Sequence, residues 1–203
     1  PLVAPDQALT VMDFEEAARR VVAPGHWAYI QSGVDAGGTA RENAEAYNRL
    51  QLRPRRLRDL SGVSTEVTLF GSSYSSPIFL CPISGQRAIH PDGDIAVARA
   101  ARTRRVAHAV STAGSFSVED VNAALGRPAW FQLYADRSWE PNEALLARIE
   151  AAGVTVLALT IDNITGRNLE PYFRARPKDL KQCDRCHAGE PGTEPRPMTA
   201  RLP

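Results

Sequence analysis

The sequence predicts an α/β fold in which strands and helices alternate along the chain. From residue 77 onward, short apolar runs typical of buried strands are separated by stretches with the apolar spacing of amphipathic helices. The repeat is about 25–30 residues long, which is the spacing of parallel strands joined by helices. About four such βα units are visible between residues 77 and 166. We therefore expect the first four βα units of a (β/α)8 TIM barrel.

The elements can be assigned in order from these patterns. The predicted strands are residues 77–84, 106–115, 129–135 and 154–162, and the predicted helices between and after them are residues 92–104, 117–125 and 140–153. Ser117 and Asp120 are placed to cap the second of these helices. The fourth strand is the most uniformly apolar of the set, so we expect it to be the most completely buried.

The segments on either side of the barrel units have a different character. Residues 1–76 contain two predicted helices, a basic crossing segment and one strand of a hairpin, and we expect them to cover the barrel. The first helix is predicted over residues 12–23, with apolar spacing that continues to Gly33, and the second runs from Thr39 to Leu50. Residues 167–203 are rich in proline and show the apolar spacing of neither a helix nor a strand. This composition predicts a long loop that is flexible or a site of cleavage. Four parallel strands leave a barrel open. We therefore expect a C-terminal half, as a separate chain or a missing segment.

Composition and charge exclude several classes of partner. Lys and Arg number 24 against 23 Asp and Glu, so the net charge of +1 favours neither nucleic acid nor an acidic partner. No apolar run is long enough to span a bilayer. The first 20 residues lack the order of a signal peptide, so we expect a cytoplasmic protein. The three cysteines do not form a disulfide framework.

Polar side chains cluster where the predicted strands end, which is where βα barrels carry their chemistry. These residues are Ser84, Ser111, Thr112, Gln132, Tyr134, Thr160 and Asp162. These are neutral hydrogen-bonding groups with few charges, and they suit a flat ligand rich in heteroatoms, such as a flavin, although serine and threonine also cap helices at such positions. Gln132 and Tyr134 favour the ligand because they point to the same side of one strand, and a buried amide needs partners.

Several blocks of the sequence resemble the FMN-dependent α-hydroxy-acid oxidases and dehydrogenases, the family of glycolate oxidase, lactate oxidase and mandelate dehydrogenase. The matching stretches run in family order from Phe14 to Asp162: "AYIQSGVDAGGTARENAEAYNRLQLRPRRLRDLS", "LFGSSYSSPIFLCPISGQRAIHPDGDIAVARAA", "VSTAGSFSVEDV", "WFQLYADR" and "AGVTVLALTID". The resemblance implies an FMN cofactor and oxidation of an α-hydroxy acid to its keto product. Hydride passes to the flavin, and the electrons then pass to oxygen or another acceptor. We also expect a homo-oligomer.

The resemblance also implies roles for individual residues. Tyr29 matches the tyrosine that binds the substrate carboxylate, and Tyr134 matches the hydroxyl near the reacting carbon. The implied cofactor contacts are the backbone of Pro82, Ile83 and Ser84 along the flavin, and the side chains of Ser111, Gln132 and Thr160 at the edge of its isoalloxazine ring. Gln132 is thus expected to face the pyrimidine part of a flavin.

Departures from the family pattern bear on the substrate. Ser84 stands where the family usually has alanine or glycine beside flavin N5. Gly85 and Ala113 are small where several members carry larger residues, which implies a roomier pocket and a bulkier substrate. The usual Gly-x-Arg motif reads Gly-Arg-Asn here. Asn168 therefore stands at the position of the family arginine, and the arginine is shifted by one residue to Arg167. An arginine contact to substrate is therefore in question.

The family's catalytic histidine, flavin-binding lysine, main carboxylate-binding arginine and phosphate loops all belong to its C-terminal half. None of the histidines present replaces the catalytic one; they are His26, His90, His108 and His187. His90 matches a structural position before the first barrel helix, and a structural role is the favoured interpretation for His26 and His108 as well. Two other functions stay open: a related FMN barrel with isomerase chemistry, against which Tyr29 and Tyr134 argue, and a non-catalytic half-barrel that acts as a binding module.

The stretch from Cys183 to His187 has the form C-x-x-C-H, which is the attachment pattern of c-type haem. Haem attachment normally takes place in an exported compartment. Two cysteines and a histidine also supply three ligands of a zinc site, without an evident fourth. An incidental loop sequence is the favoured interpretation, so no metal is predicted.

Overall fold

The computed structural model describes residues 4–162 and 166–175. The α-helices are α1 (Asp13–Val21), α2 (Pro24–Gln31), α3 (Gly38–Glu45), α4 (Gly93–Arg104), α5 (Val118–Leu125), α6 (Trp139–Ala151) and α7 (Glu170–Ala175). The strands are β1 (Val67–Leu69), β2 (Ser72–Tyr74), β3 (Ala109–Ser111), β4 (Trp130–Leu133) and β5 (Leu157–Leu159). Short 3-10 turns occupy Pro5–Gln7, Ala46–Arg49 and Gln86–Ala88.

These elements fall into two compact units. The first unit consists of residues 4–56 together with 166–175, and the second unit consists of residues 57–162. The functional division into segments 1–76, 77–166 and 167–203 stays a prediction. None of the described helices is both long and apolar enough to cross a membrane.

The first unit is built from short helices. The single helix predicted over residues 12–23 ends at Val21, and a new helix begins at Pro24. Proline explains the break, because it disfavours a helical residue before it and suits the first position of a helix. Helix α7 packs against α2 and occupies part of the segment predicted to be a loop. The rest of that segment, with Cys183, Cys186 and His187, lies outside the described residues.

The second unit contains a parallel sheet in the order β3-β4-β5. In its register Val110 lies opposite Phe131, which in turn lies opposite Leu157. The first predicted strand contributes a parallel bridge in which Leu80 pairs with His108, so it lies beside β3. Four consecutive parallel segments therefore follow each other in space as they do in the chain. This is the arrangement of the first four strands of a βα barrel.

Helices α4, α5 and α6 pack their apolar side chains against one face of this sheet. The buried cluster between the two layers is Ala98, Ala101, Val110, Val118, Val121, Leu125, Ala129, Phe131 and Ile149. The predicted cap of α5 is confirmed, since Ser117 Oγ accepts a hydrogen bond from the Asp120 N–H at 3.1 Å. The opposite face of the sheet carries Ser111 and Gln132, and it is this face that leads to the site.

A hairpin of β1 and β2 contacts the N-terminal end of β4. Phe70 and Gly71 form its turn with positive φ angles of 49° and 77°, as a two-residue hairpin turn requires. The ring of Trp130 lies edge-on to those of Phe70 and Tyr74, and its Nε1–H donates to the Tyr74 hydroxyl at 3.1 Å. The hairpin thus occupies the end of the sheet opposite to the polar strand ends.

Strand β5 is less buried than the sequence predicts. Leu157 and Leu159 are 45% and 54% exposed, and Ile161 is 87% exposed. Among the described residues β5 has a neighbouring strand on one side only, so its apolar side chains lack the cover that a continued barrel supplies. The expected strand is present, but the expectation that it is the most buried one is wrong for the described residues.

Candidate cofactor and substrate site

Gln132 lies at the centre of a hydrogen-bond network that joins three strands. Its side chain is 5% exposed, as is that of Ser111 on the neighbouring strand. Ser111 Oγ donates to Gln132 Oε1 at 3.0 Å, and Gln132 Nε2 donates to Thr160 Oγ1 at 2.7 Å. The three residues predicted to meet a flavin edge are therefore brought into direct contact, at the C-terminal ends of β3, β4 and β5.

The network leaves hydrogen-bonding capacity unused on the described residues. Gln132 Nε2 carries a second hydrogen and Oε1 a second lone pair, and the Thr160 hydroxyl hydrogen has no acceptor among residues 4–162 and 166–175. The free donors and the free acceptor lie together at the strand ends, and they match the edge of a flavin pyrimidine ring, which itself carries both hydrogen-bond donors and acceptors. The donor set therefore fits FMN, and burial makes further partners favourable.

Thr112 connects this network to Tyr134. Its hydroxyl donates to the Gln132 carbonyl oxygen at 2.5 Å and accepts from the Tyr134 N–H at 3.0 Å. Tyr134 comes directly after β4, and its side chain is 39% exposed at the same end of the sheet. From its position in the sequence, Thr112 is expected among the polar strand-end residues without a specific role. The structure gives it one, because it holds the backbone that carries Tyr134.

The segment after the first predicted strand presents its backbone at this end of the sheet. Pro82 is half-buried, whereas Ile83 and Ser84 are exposed. Gly85 is buried, has a φ of +61°, and donates its N–H to the Ala113 carbonyl oxygen at 3.1 Å. A left-handed conformation favours glycine, so Gly85 has a backbone requirement in addition to the space that its missing side chain leaves.

Two buried polar residues under this segment were missed by sequence reasoning. Asp94 is fully buried, and its carboxylate accepts hydrogen bonds from Gln86 Nε2 at 2.8 Å and from the Ser115 N–H at 2.9 Å. Burial raises the pKa of Asp94, and the bond from Ser115 opposes that rise. In the sequence Asp94 is an acidic residue in the first turn of a helix, which the helix dipole already explains.

His108 is buried in the sheet, at the position that pairs with Leu80 immediately before β3. It is 1% exposed, and neither ring nitrogen has a hydrogen-bond partner of normal geometry among the described residues. Burial lowers the pKa of His108, although the Leu80 backbone and the Asp94 charge act to raise it. A neutral, enclosed imidazole fits the structural role predicted for this histidine.

Tyr29 and Arg167 belong to the first unit. Tyr29 lies on α2 with its ring edge-on to the buried Tyr172 of α7, at 5.7 Å between ring centroids. Arg167 is exposed. Its neighbour Asn168 donates through Nδ2 to Asp35 Oδ1 at 3.0 Å and accepts the Asp35 N–H at its carbonyl oxygen at 2.8 Å. The substrate roles of Tyr29 and Arg167 stay predictions.

The described residues contain no group of three or more His, Cys, Asp or Glu side chains that is arranged to hold a metal ion. Apart from Asp162, the polar strand ends carry neutral hydrogen-bonding groups, which suit an organic ligand better than a metal ion. Residues 18–195 match the protein family described as FMN-dependent dehydrogenase. The chain belongs to this family. FMN is therefore its cofactor class, and the resemblance inferred from the sequence blocks is confirmed.

Individual relatives agree with this assignment. The 2-hydroxyacid oxidase 2 of Rattus norvegicus is 38% identical over 151 residues, which cover 74% of this chain and 43% of that protein. The 4-hydroxymandelate oxidase of Amycolatopsis orientalis is 37% identical over 173 residues, covering 85% and 46% respectively. A crystal structure of mandelate oxidase superposes with a TM-score of 0.79 at 35% identity, over 87% of this chain and 51% of that one.

The chain spans about half the length of the relatives it matches. The predicted fold class is confirmed, because the described residues contain consecutive parallel strands and helices of a TIM barrel and, among themselves, do not close it. The predicted membership in a family of 2-hydroxy-acid oxidoreductases is confirmed as well.

Proposed function

We propose that this chain is the N-terminal half of an FMN-dependent enzyme that oxidises a 2-hydroxy acid to a 2-oxo acid. The observation that carries the proposal is the hydrogen-bond network at the strand ends, formed by the buried Ser111 and Gln132 with the half-buried Thr160, in a chain of the FMN-dependent dehydrogenase family. A glutamine with unused donor and acceptor capacity is suited to hold the edge of a flavin ring. Pro82, Ile83 and Ser84 provide the adjoining backbone.

Two tyrosines handle the substrate in this proposal. Tyr29 binds the substrate carboxylate, and Tyr134 places its hydroxyl beside the reacting carbon. When bound, FMN would supply the acceptor for a hydride equivalent from that carbon, and the electrons would then go to oxygen or another acceptor. Thr112 keeps the Tyr134 backbone in place through its bond to the Tyr134 N–H. The roles of Tyr29 and Tyr134 rest on the family resemblance.

The substrate is proposed to carry a bulky side chain next to the hydroxyl-bearing carbon. Gly85 and Ala113 are small, and they are linked by the hydrogen bond between the Gly85 N–H and the Ala113 carbonyl. Two relatives that are 37% and 35% identical to this chain are named for 4-hydroxymandelate and mandelate, which are aromatic 2-hydroxy acids. Arg167 is the basic residue that the chain offers near the position of the family arginine.

Activity requires a C-terminal half of the barrel, which would supply the proton-accepting histidine. Two observations support this requirement. The relatives are about twice as long as the aligned region, and the apolar side chains of β5 are exposed at the edge of the described sheet. The homo-oligomer and the cytoplasmic location stay predictions.

The proposal is tested with the chain produced together with a C-terminal half, either its own continuation or that of the Amycolatopsis orientalis relative. The purified assembly should show flavin absorption bands that are lost in Gln132→Leu and kept in Gln51→Leu, a matched change at an exposed position. Mandelate should bleach the bands faster than lactate. A colourless wild-type assembly contradicts the proposed cofactor site, whereas a preference for lactate contradicts only the substrate class.

A further inference from the structure

Two loops at the strand ends are joined beneath the candidate site by a buried polar network. The first loop, residues 82–88, follows the first predicted strand, and the second, residues 112–117, follows β3. Asp94, in the first turn of α4, bonds to both: its carboxylate accepts from Gln86 Nε2 and from the Ser115 N–H. Gln86 and Ser115 are themselves 8% and 4% exposed.

The chemistry of Asp94 determines how the Gln86 amide is oriented. A carboxylate can only accept hydrogen bonds, so Gln86 must direct Nε2 toward it and not Oε1. The second hydrogen of Nε2 is then available to the carbonyl oxygen of Ile83, which lies 3.3 Å away. Through this amide the buried carboxylate sets the direction of the Ile83–Ser84 peptide group.

Further bonds keep the two loops in register. The Arg87 N–H donates to Ser115 Oγ at 3.1 Å, and the Gly85 N–H donates to the Ala113 carbonyl oxygen at 3.1 Å. The two loops are thus joined immediately before the 3-10 turn Gln86–Ala88, at Gly85, and at its middle residue, Arg87. Burial of a charged carboxylate is unfavourable unless hydrogen bonds satisfy it, and the bonds that Asp94 accepts from Gln86 and Ser115 come from these two loops.

We propose that Gln86 and Asp94 are positioning residues that hold the Ile83–Ser84 backbone in the orientation required beside the flavin ring. The inference rests on the proposed function, in which that backbone lies along FMN. The two residues do not touch the substrate, and they act on the cofactor through the loop that they hold.

The matched variants are Asp94→Asn, Gln86→Met and, as a control, Asp92→Asn. Asparagine at position 94 can accept from the Ser115 N–H, but its NH2 group then faces Gln86, which must turn its oxygen inward and release Ile83. Methionine at position 86 keeps the length of the side chain and removes the donor. Asp92 is an exposed residue immediately before the same helix, so its change is chemically identical but outside the network.

The first measurement is amide hydrogen exchange on the chain without flavin. We expect the amides of Gly85, Arg87 and Ala88 to exchange about tenfold faster in Asp94→Asn and Gln86→Met, since each variant loses the hydrogen bond from Gln86 to the Ile83 carbonyl oxygen. Exchange in α5 and α6 should stay at the wild-type rate. If those helices also exchange faster, the two residues only support the fold. If the loop amides keep the wild-type rate, the two residues do not hold the loop. Either result rejects the inference.

The second measurement uses the assembly with a C-terminal half. The dissociation constant of FMN should rise about tenfold in both variants, the reduction potential of the bound flavin should shift, and the control should match wild type. Wild-type FMN affinity and potential in folded variants overturn this inference and leave the proposed function intact. A wild-type assembly that binds no FMN overturns the proposed function, and with it the link between this network and a flavin.

Discussion

Gln132 donates a hydrogen bond to Thr160 at 2.7 Å, and this contact joins the middle of the parallel sheet to the end of its last described strand. The other end of the same amide accepts from Ser111, so one side chain spans three strands. A glutamine inside a strand is unusual because its amide must be satisfied after burial. Here the partners come from the neighbouring strand ends, which also define the polar mouth proposed to hold FMN.

Replacing Gln132 with leucine should destabilise the second unit by about 1–3 kcal/mol, because it leaves the buried Ser111 hydroxyl and the Thr160 hydroxyl without their partner. Urea unfolding of the chain, followed by circular dichroism, measures the change. Gln51→Leu serves as the control at an exposed position. Equal unfolding midpoints for the two variants would show that the network does not stabilise the sheet.

Replacing Thr112 with valine should weaken the connection between β4 and the residues that follow it. Valine keeps the shape but loses the bonds to the Gln132 carbonyl and to the Tyr134 N–H, which predicts a loss of about 1–2 kcal/mol. The amide of Tyr134 should exchange faster with solvent. Thr155→Val, at an exposed position before β5, provides the comparison, and an unchanged Tyr134 amide in Thr112→Val would contradict the assignment.

Replacing Gly85 with alanine should cost about 1–2 kcal/mol, since the φ of +61° at this position is unfavourable for a residue with a Cβ atom. Gly38→Ala is the matched control, because a Cβ at Gly38 meets no atom within 4 Å and its φ is not positive. Thermal unfolding of both variants measures the difference. If Gly85→Ala is as stable as Gly38→Ala, the glycine is present for pocket space alone.

His108 should make stability depend on pH. Because burial lowers its pKa below the ordinary value of 6.5, the unfolded chain binds the proton more readily, and the contribution of His108 is present above pH 6.5 and lost as the pH falls through its folded value. Asp94 acts in the opposite sense. Its raised pKa makes its contribution complete below pH 3.8 and lost as the pH rises through its folded value.

The variant His108→Leu should therefore lose less stability than wild type when the pH is lowered from 7 to 5. At pH 7 its free energy of unfolding should lie within about 1 kcal/mol of wild type, because the ring nitrogens that it removes have no hydrogen bond among the described residues. Urea unfolding at both pH values checks this. An identical loss in the two proteins would show that His108 is not the group that titrates.

The alternation of strands and helices was readable from the sequence because buried strands and amphipathic helices have different apolar periods. The strand ends could be placed for the same reason, and with them Ser111, Gln132 and Thr160. Asp94 and Gln86 could not be found in this way. An acidic residue in the first turn of a helix is already explained by the helix dipole. That Asp94 also bonds to two loops became visible only from the packing of α4 against them.

The burial of β5 was mispredicted for a related reason. An apolar run records what a strand is suited to pack against, whereas its exposure depends on which neighbours are present, and Leu157 and Leu159 have them on one side only among the described residues. Likewise, Pro24 divides a helical pattern that apolar spacing alone had joined into one element. In both cases the local pattern was right, and the extent of the element depended on its surroundings.

The sequence by itself determined the order of the elements, the family and the set of polar residues at the strand ends, because these follow from local periodicity and from residue identity at matched positions. The tertiary structure decided which of those residues share hydrogen bonds. It showed Gln132 between Ser111 and Thr160, and Asp94 beneath the loop of Ile83. Hydrogen bonds join atoms that are distant in the chain, and only the folded backbone brings them within reach of each other.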